Sequence, residues 1–126
     1  MPAEAAIDRL LASARAALDR VEPARLGDEV AAGALVVDIR PAEQRERDGA
    51  LPDAVVIDRN VLEWRLDPTC AYHLPEASDW AQRIVVVCNE GYSSSLAAFT
   101  LRQLGMYRAT DLVGGFRAWR DAQVRT

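Results

Sequence analysis

Lysine is missing from this chain of 126 residues, and all fifteen basic residues are arginine. Schiff-base chemistry and lysine general-base catalysis are therefore excluded, because both need an ε-amino group.

Histidine is almost absent too, since His73 is the only one. A cysteine–histidine catalytic pair would have to use His73, but its setting beside Leu74 and Pro75 favours a surface residue, so we assign it no role.

An excess of positive charge is also lacking, because the formal net charge is -4. Nucleic-acid binding needs a basic face that neutralises phosphates, so we expect no nucleic-acid partner. No segment approaches the roughly 18 apolar residues of a membrane span. Charged residues also interrupt the stretch 3–19, which excludes the apolar core of a secretory signal. We therefore expect a soluble, cytoplasmic protein with no membrane partner.

Cysteine is scarce, with only Cys70 and Cys88. Two cysteines do not make the disulfide framework of a small secreted scaffold, so two free thiols are expected. Cys70 lies in the irregular stretch 67–72, where an inert, partly exposed thiol is favoured over a partner that resolves oxidised Cys88.

The apolar pattern predicts a single α/β domain. Residues 34–37 with 39, 54–57 and 84–87 form apolar runs without alternation, as in strands covered on both faces, and 110–113 is a further short strand. Helical patterns separate them, at about 25–32 before Gly33 and from Ser94 to a stop at Gly105. Apolar residues at helical spacing also predict an amphipathic N-terminal helix of about four turns: Ile7, Leu10, Leu11, Ala14 and Leu18.

Cys88 ends the most hydrophobic run of the chain and is followed by a helical pattern. This places a thiol at a strand-to-helix turn, at the carboxyl end of a parallel strand, where ligands of such sheets bind. Backbone N–H groups and the positive end of the helix dipole meet there and favour a thiolate or a bound anion. Gly91 suits this turn, because without a Cβ it can adopt a positive φ.

Four segments in order resemble the rhodanese (sulfurtransferase) domain: Val37-Asp38-Ile39-Arg40 with Glu43, residues 49–54, the loop that begins at Cys88, and residues 114–119. The resemblance covers about residues 21–123. It implies a rhodanese-like single domain of residues 21–126 with a five-stranded, mostly parallel sheet flanked by helices on both faces. Residues 1–20 are then an extra helix outside the family core, suited to dimerisation or docking.

The resemblance also implies the chemistry. Cys88 takes the outer sulfur of a small donor as a persulfide and passes it to a thiol or cyanide-like acceptor, or to a protein, with no metal or organic cofactor. The substrate-binding residues would be those of the loop: Asn89, Glu90, Gly91, Tyr92, Ser93 and Ser94. Asp38 and Arg40 would be structural, with Arg40 paired to Glu43 or another acidic neighbour.

Two positions depart from the family pattern. Loops active on thiosulfate commonly carry arginine at the sixth position, which is Ser93 here, and the third position is Glu90. A carboxylate about 6–8 Å from the thiolate opposes it by roughly 0.5–1.4 kcal/mol, and repels a dianionic donor about twice as strongly. We therefore expect thiosulfate to be a poor donor and a persulfide or protein-bound sulfur a better one.

Arg59 and Arg65 flank Trp64 after the second strand, and there are two interpretations of them. Either they supply the cations that the loop lacks, or they are surface guanidiniums whose stems cover apolar neighbours, which is the favoured interpretation.

Two other functions compete with an enzyme that turns over. One is a regulatory or sulfur-carrier module that binds a protein partner without efficient turnover. The other is a phosphatase of the related dual-specificity type, which needs an arginine six residues after the cysteine to clamp the phosphoryl group. Position 94 is serine, so the phosphatase is disfavoured.

Overall fold

The computed structural model describes residues 4–124, which form an α/β fold. The helices are α1 Ala6–Ala16, α2 Leu26–Ala31, α3 Ala42–Asp48, α4 Leu62–Leu66, α5 Ser93–Leu104 and α6 Gly115–Val124. The strands are β1 Leu35–Asp38, β2 Ala54–Val56, β3 Ile84–Val87 and β4 Ala109–Asp111, and short 3-10 turns span Pro23–Arg25 and Arg59–Val61. Within 4–124, none of the helices has the length and apolar character needed to cross a bilayer.

The sheet is parallel throughout, in the order β2-β1-β3-β4. The expectation of five strands is wrong for the described residues, which contain four. At the place beside β4 where a fifth strand would lie, Val21 makes a single parallel bridge to Leu112. The pairing stops there because Pro23 begins a 3-10 turn two residues later, and proline has no N–H for a strand ladder.

Two apolar cores cover the two faces of the sheet, as expected for strands buried on both sides. Val37 and Val86 face one core, with Leu101 of α5. Val36 and Val87 face the other, with Phe116 of α6. The strands therefore hold the carboxyl end of β3 between α5 on one side and α6 on the other.

Several helix boundaries differ from the predicted ones. The N-terminal helix has 11 residues, about three turns, so Leu18 lies beyond it. Helix α5 stops at Gly105, which has a φ of +122° as a helix end requires. Leu104, the last residue of α5, is exposed. The residue before α5 is Tyr92, whose side chain makes no capping hydrogen bond, and the helix begins at Ser93, one residue before the predicted start.

Candidate functional site

Cys88 directly follows β3, and residues 89–92 connect it to α5. Its side chain is only 7% exposed, yet it lines a cavity of about 290 Å³ at the carboxyl end of the sheet. The other lining residues come from the end of β1, from α3 and from the loop: Ile39, Arg40, Pro41, Gln44, Asn89, Glu90, Tyr92 and Ser93. The thiol is therefore buried against the fold on one side and next to an open volume on the other.

Two backbone amides point at the sulfur. The Gly91 amide donates a hydrogen bond to Cys88 Sγ at 3.1 Å, and the Ser94 amide donates one at 3.4 Å. The Gly91 amide can do so because this residue has a φ of +86°. The sulfur therefore has two N–H donors on its loop side, and this is the kind of surrounding in which reactive cysteines occur.

The loop carbonyls are turned away from the sulfur, which leaves the amides on its side. Cys88 O accepts from Phe116 N at 2.9 Å, and Asn89 O accepts from Arg117 N at 3.1 Å, both at the start of α6. The loop lies directly on the turn before α6, since a Cβ on Gly115 would come within 2.5 Å of Cys88 O. Close packing of two glycine-containing turns therefore fixes the direction of the loop peptides.

The Gly91 carbonyl is held from the N-terminal side of the chain. It accepts from Arg15 Nη2 of α1 at 2.7 Å and from Arg20 Nη2 at 3.1 Å. Sequence reasoning assigned neither arginine a role. A signal for Arg15 exists in its spacing, because it lies four residues after buried Leu11 and so on the same face of the helix.

Asp111, at the end of β4, lies beneath the loop and is completely buried. Its carboxylate accepts from Arg20 Nε at 2.8 Å, from Ser94 Oγ at 2.7 Å and from Ser95 Oγ at 2.8 Å. The first turn of α5 is thus tied to β4, and Ser94 contacts both the sulfur and this carboxylate. Asp111 was also missed by sequence reasoning, although the carboxyl end of a strand next to β3 was the place to look.

Glu90 and Tyr92 line the cavity, and both are more than half exposed. Glu90 is not left as an isolated charge, because Arg117 Nη1 of α6 lies 3.0 Å from its Oε1 atom. The Arg15 guanidinium lies over the Tyr92 ring, 5.5 Å from its centroid. The Asn89 amide points toward α3 and α6: in the orientation that satisfies both partners, it donates to Asp48 and accepts from Arg117.

Asp38 and Arg40 form a buried ion pair at the end of β1. Arg40 Nη2 lies 2.8 Å from Asp38 Oδ2, and its guanidinium stacks on the Phe116 ring at 3.9 Å. The acidic neighbour of Arg40 is therefore Asp38, not Glu43. A buried guanidinium held by a carboxylate, an aromatic face and the Gly49 carbonyl joins β1 to α6 beside the cavity.

Arg59 and Arg65 do not line the cavity next to Cys88. Arg59 pairs with Glu63 at 2.9 Å, and Arg65 donates to the Tyr72 carbonyl. Arg59 instead lines a separate cavity with Trp64 and Cys70. The two cysteines are free thiols, as predicted, and His73 is exposed.

The family-model comparison matches this chain over residues 22–122 to the rhodanese-like domain. The chain belongs to the rhodanese-like family. The match spans all four strands and the Cys88 loop, and it starts after Arg15 and Arg20.

Relatives agree with this membership. The adenylyltransferase and sulfurtransferase UBA4 of Candida albicans is 33% identical over 87 residues, which are 69% of this chain and 19% of that protein. The chain thus spans about a fifth of the length of the curated relatives that it matches. The human single-domain sulfurtransferase TSTD1 has 27% identity and a TM-score of 0.69, covering 81% of this chain and 95% of that one.

One similar structure extends over nearly the whole chain. A protein of unknown function from Rhodopseudomonas palustris, described as a possible tyrosine phosphatase, has 32% identity and a TM-score of 0.84, and covers 98% of this chain and 96% of that one. In the present chain Ser94 stands where a phosphatase needs its arginine, and it donates its amide to the sulfur and its hydroxyl to Asp111. The loop therefore offers no side-chain clamp for a phosphoryl group.

Proposed function

We propose that this chain is a sulfurtransferase that carries sulfane sulfur on Cys88. The observation that carries the proposal is the pair of amides, from Gly91 and Ser94, that donate to Sγ beside an open cavity. A nucleophilic sulfur needs both an anion-stabilising surrounding and room for a donor, and this position has both.

The transfer takes two displacement steps. In the first, the Cys88 thiolate attacks the outer sulfur of a donor persulfide, so that a new S–S bond forms on Cys88 and the donor leaves as a thiolate. In the second, an acceptor thiolate or cyanide attacks that outer sulfur and the Cys88 thiolate is released. No electrons enter or leave, because one S–S bond is exchanged for another in the first step and the acceptor's own lone pair makes the new bond in the second.

The loop amides of Asn89 to Ser94 form the binding surface for the transferred sulfur in this proposal, with Gly91 and Ser94 as direct donors. Glu90 disfavours a dianionic donor at the mouth, so a persulfide, free or bound to a protein, is the better donor and thiosulfate a poor one. The reaction fits the cytoplasm, where two free cysteines stay reduced. Residues 21–126 are the domain that performs it, and residues 1–20 are an added N-terminal extension that contains α1.

Intact-mass spectrometry tests the proposal. After incubation with glutathione persulfide and removal of excess donor, we expect an adduct of about 32 Da, one sulfur atom, that an added thiol discharges rapidly. The Cys88→Ser variant should show no adduct, and the matched Cys70→Ala variant should behave like the unmodified chain.

Each other outcome rejects the proposal in a defined way. An adduct on Cys88 that thiols do not discharge supports the sulfur-carrier function instead of turnover. Failure to form any adduct in the Cys70→Ala variant supports a binding module without sulfur chemistry.

A further inference from the structure

We propose that Arg15 is a positioning residue of the sulfur site, which supplies from α1 the cation that the Cys88 loop itself lacks. The proposal rests on the proposed function for its biological meaning, but its geometry and its test concern the thiol alone. It assigns a role in the site to a helix that lies outside residues 22–122, where the family match is found.

The contacts of Arg15 converge on the loop and on the start of α5. Its Nη2 atom donates to Gly91 O at 2.7 Å, its Nε atom donates to Ser95 Oγ at 3.1 Å, and its guanidinium covers the Tyr92 ring. Gly91 is the residue whose amide donates to Cys88 Sγ. Arg15 therefore holds the next peptide along the loop in the orientation that the Gly91 amide needs.

Arg15 differs in its charge balance from most ionised groups around the loop. Asp38 pairs with Arg40, Glu90 with Arg117, Asp111 with Arg20, and Asp48 with Arg47 and Arg120. Among residues 4–124, Arg15 makes no ion pair with a carboxylate. Arg45 of α3 has no carboxylate partner among the described residues either, but it donates to the Arg40 carbonyl. The positive charge of Arg15 is thus uncompensated and favours a thiolate on Cys88.

Helix α1, which carries Arg15, is held against the rest of the fold. Three residues after the end of α1, Asp19 accepts from Arg83 Nη1 at 3.0 Å and from Arg102 Nη2 at 2.7 Å. Leu11 and Ala14 are buried on the same helix. Helix α1 is therefore docked firmly enough to hold the Arg15 guanidinium in place, which a loosely attached extension would not do.

The test measures alkylation of Cys88 by iodoacetamide as a function of pH, by intact mass, in a Cys70→Ala background. Arg15→Met should move the pH profile upward and slow alkylation at pH 7 by about threefold to tenfold. Arg15→Lys keeps the charge and should restore most of the rate. Arg9→Met, which removes an exposed arginine of the same helix bonded to Glu4 O, should leave the profile unchanged.

A second measurement uses the protein with Arg15 in place. Because iodoacetamide is uncharged, raising the salt from about 20 mM to about 500 mM should slow alkylation of Cys88 by screening Arg15. The same change should have no effect on Arg15→Met.

The proposal is overturned if the profile of folded Arg15→Met matches that of the parent, or if the parent shows no salt dependence. It is equally overturned if Arg15→Lys is as slow as Arg15→Met. These results are independent of persulfide formation, so a protein that alkylates as expected but accepts no sulfur would reject the proposed function and leave the role of Arg15 standing.

Discussion

The Nη1 atom of Arg117 lies 3.0 Å from Oε1 of Glu90, so the carboxylate at the mouth of the Cys88 cavity faces a cation from another helix. Both side chains are about half exposed, at 45% for Arg117 and 53% for Glu90. Such a pair contributes little to stability, because water and salt screen it. Its effect on a charged donor is different, because removing one member changes the net charge at the mouth by a full unit.

Glu90→Gln should therefore improve the use of thiosulfate. The change removes a negative charge and frees Arg117, and we expect kcat/KM for this dianion to rise about fivefold to fiftyfold at low salt. A persulfide donor, with less charge, should gain less. Steady-state assays of sulfur transfer to cyanide measure both donors.

Two variants act as controls for this prediction. Glu46→Gln makes the same charge change on the exposed side of α3 and should leave both donors unaffected. The double variant Glu90→Gln with Arg117→Met should lose most of the gain. An unchanged kcat/KM for thiosulfate in Glu90→Gln would show that Glu90 does not select donors.

Gly91→Ala should disable the sulfur site. A Cβ at this position would lie 2.7 Å from Gly114 N, and the φ of +86° is strained for any residue with a side chain. We expect the loop to shift, with at least about a tenfold loss in persulfide formation and a stability loss of about 1–3 kcal/mol. Rates come from intact-mass time courses and stability from urea unfolding.

Gly27→Ala is the matched control for this change. Gly27 lies in α2, and apart from its chain neighbours and the backbone of its own helix no atom lies within 4 Å of the place that its Cβ would take. We expect unchanged sulfur transfer and a stability equal to or about 0.5–1 kcal/mol above that of the parent. If Gly91→Ala formed persulfide at the parent's rate, the Gly91 amide would not be needed at the sulfur.

The location of Cys88 was predictable because local signals determine it. A run of four apolar residues, a glycine able to take a positive φ and a helical pattern follow one another within about twenty residues, and each acts on its own segment. The ordered motifs then led to the correct family. A structural pairing of Arg40 with a nearby carboxylate was also predictable, although sequence distance alone did not separate Asp38 from Glu43 as its partner.

The partners of the loop were not predictable in the same way. Arg15 and Gly91 are 76 residues apart, and Arg117 and Glu90 are 27 apart. Their contacts depend on how α1 and α6 pack against the sheet, which periodicity along the chain does not encode. The prediction of a fifth strand was wrong for a reason that the sequence itself contains: Pro23 limits the strand pairing of Val21 to a single bridge.

Asp111→Asn should destabilise the fold around the loop. The buried carboxylate satisfies Arg20 and the hydroxyls of Ser94 and Ser95, so an amide in its place would leave the guanidinium without its ion-pair partner. We expect a loss of about 2–3 kcal/mol in the free energy of unfolding in urea. Asp121→Asn, at an exposed site of α6, should change it by less than about 0.5 kcal/mol. A loss no larger than that of the control would mean that the network around Asp111 adds nothing to stability.

The attachment of α1 should weaken in acid. Burial raises the pKa of Asp19, but the hydrogen bond and charge of Arg83, with the charge of Arg102, outweigh it and hold the pKa below the ordinary value of 3.8. A carboxyl whose folded pKa is lowered stabilises the fold above its unfolded pKa, and this contribution disappears as the pH falls through the folded value. Because Asp19 is well exposed, we expect its part to stay below about 1 kcal/mol.

Urea unfolding at pH 6 and at pH 3, for the parent and for Asp19→Asn, measures this contribution. The variant should be slightly less stable than the parent at pH 6 and closer to it at pH 3, because Asp19 forms ion pairs with Arg83 and Arg102 only while its carboxyl is ionised. Asp8→Asn, an exposed position on the same helix, should follow the parent at both values. If Asp19→Asn kept the parent's full loss of stability between pH 6 and pH 3, the acid sensitivity would belong to other carboxyls, and α1 would be held by its apolar contacts and by the hydrogen bonds of Arg15.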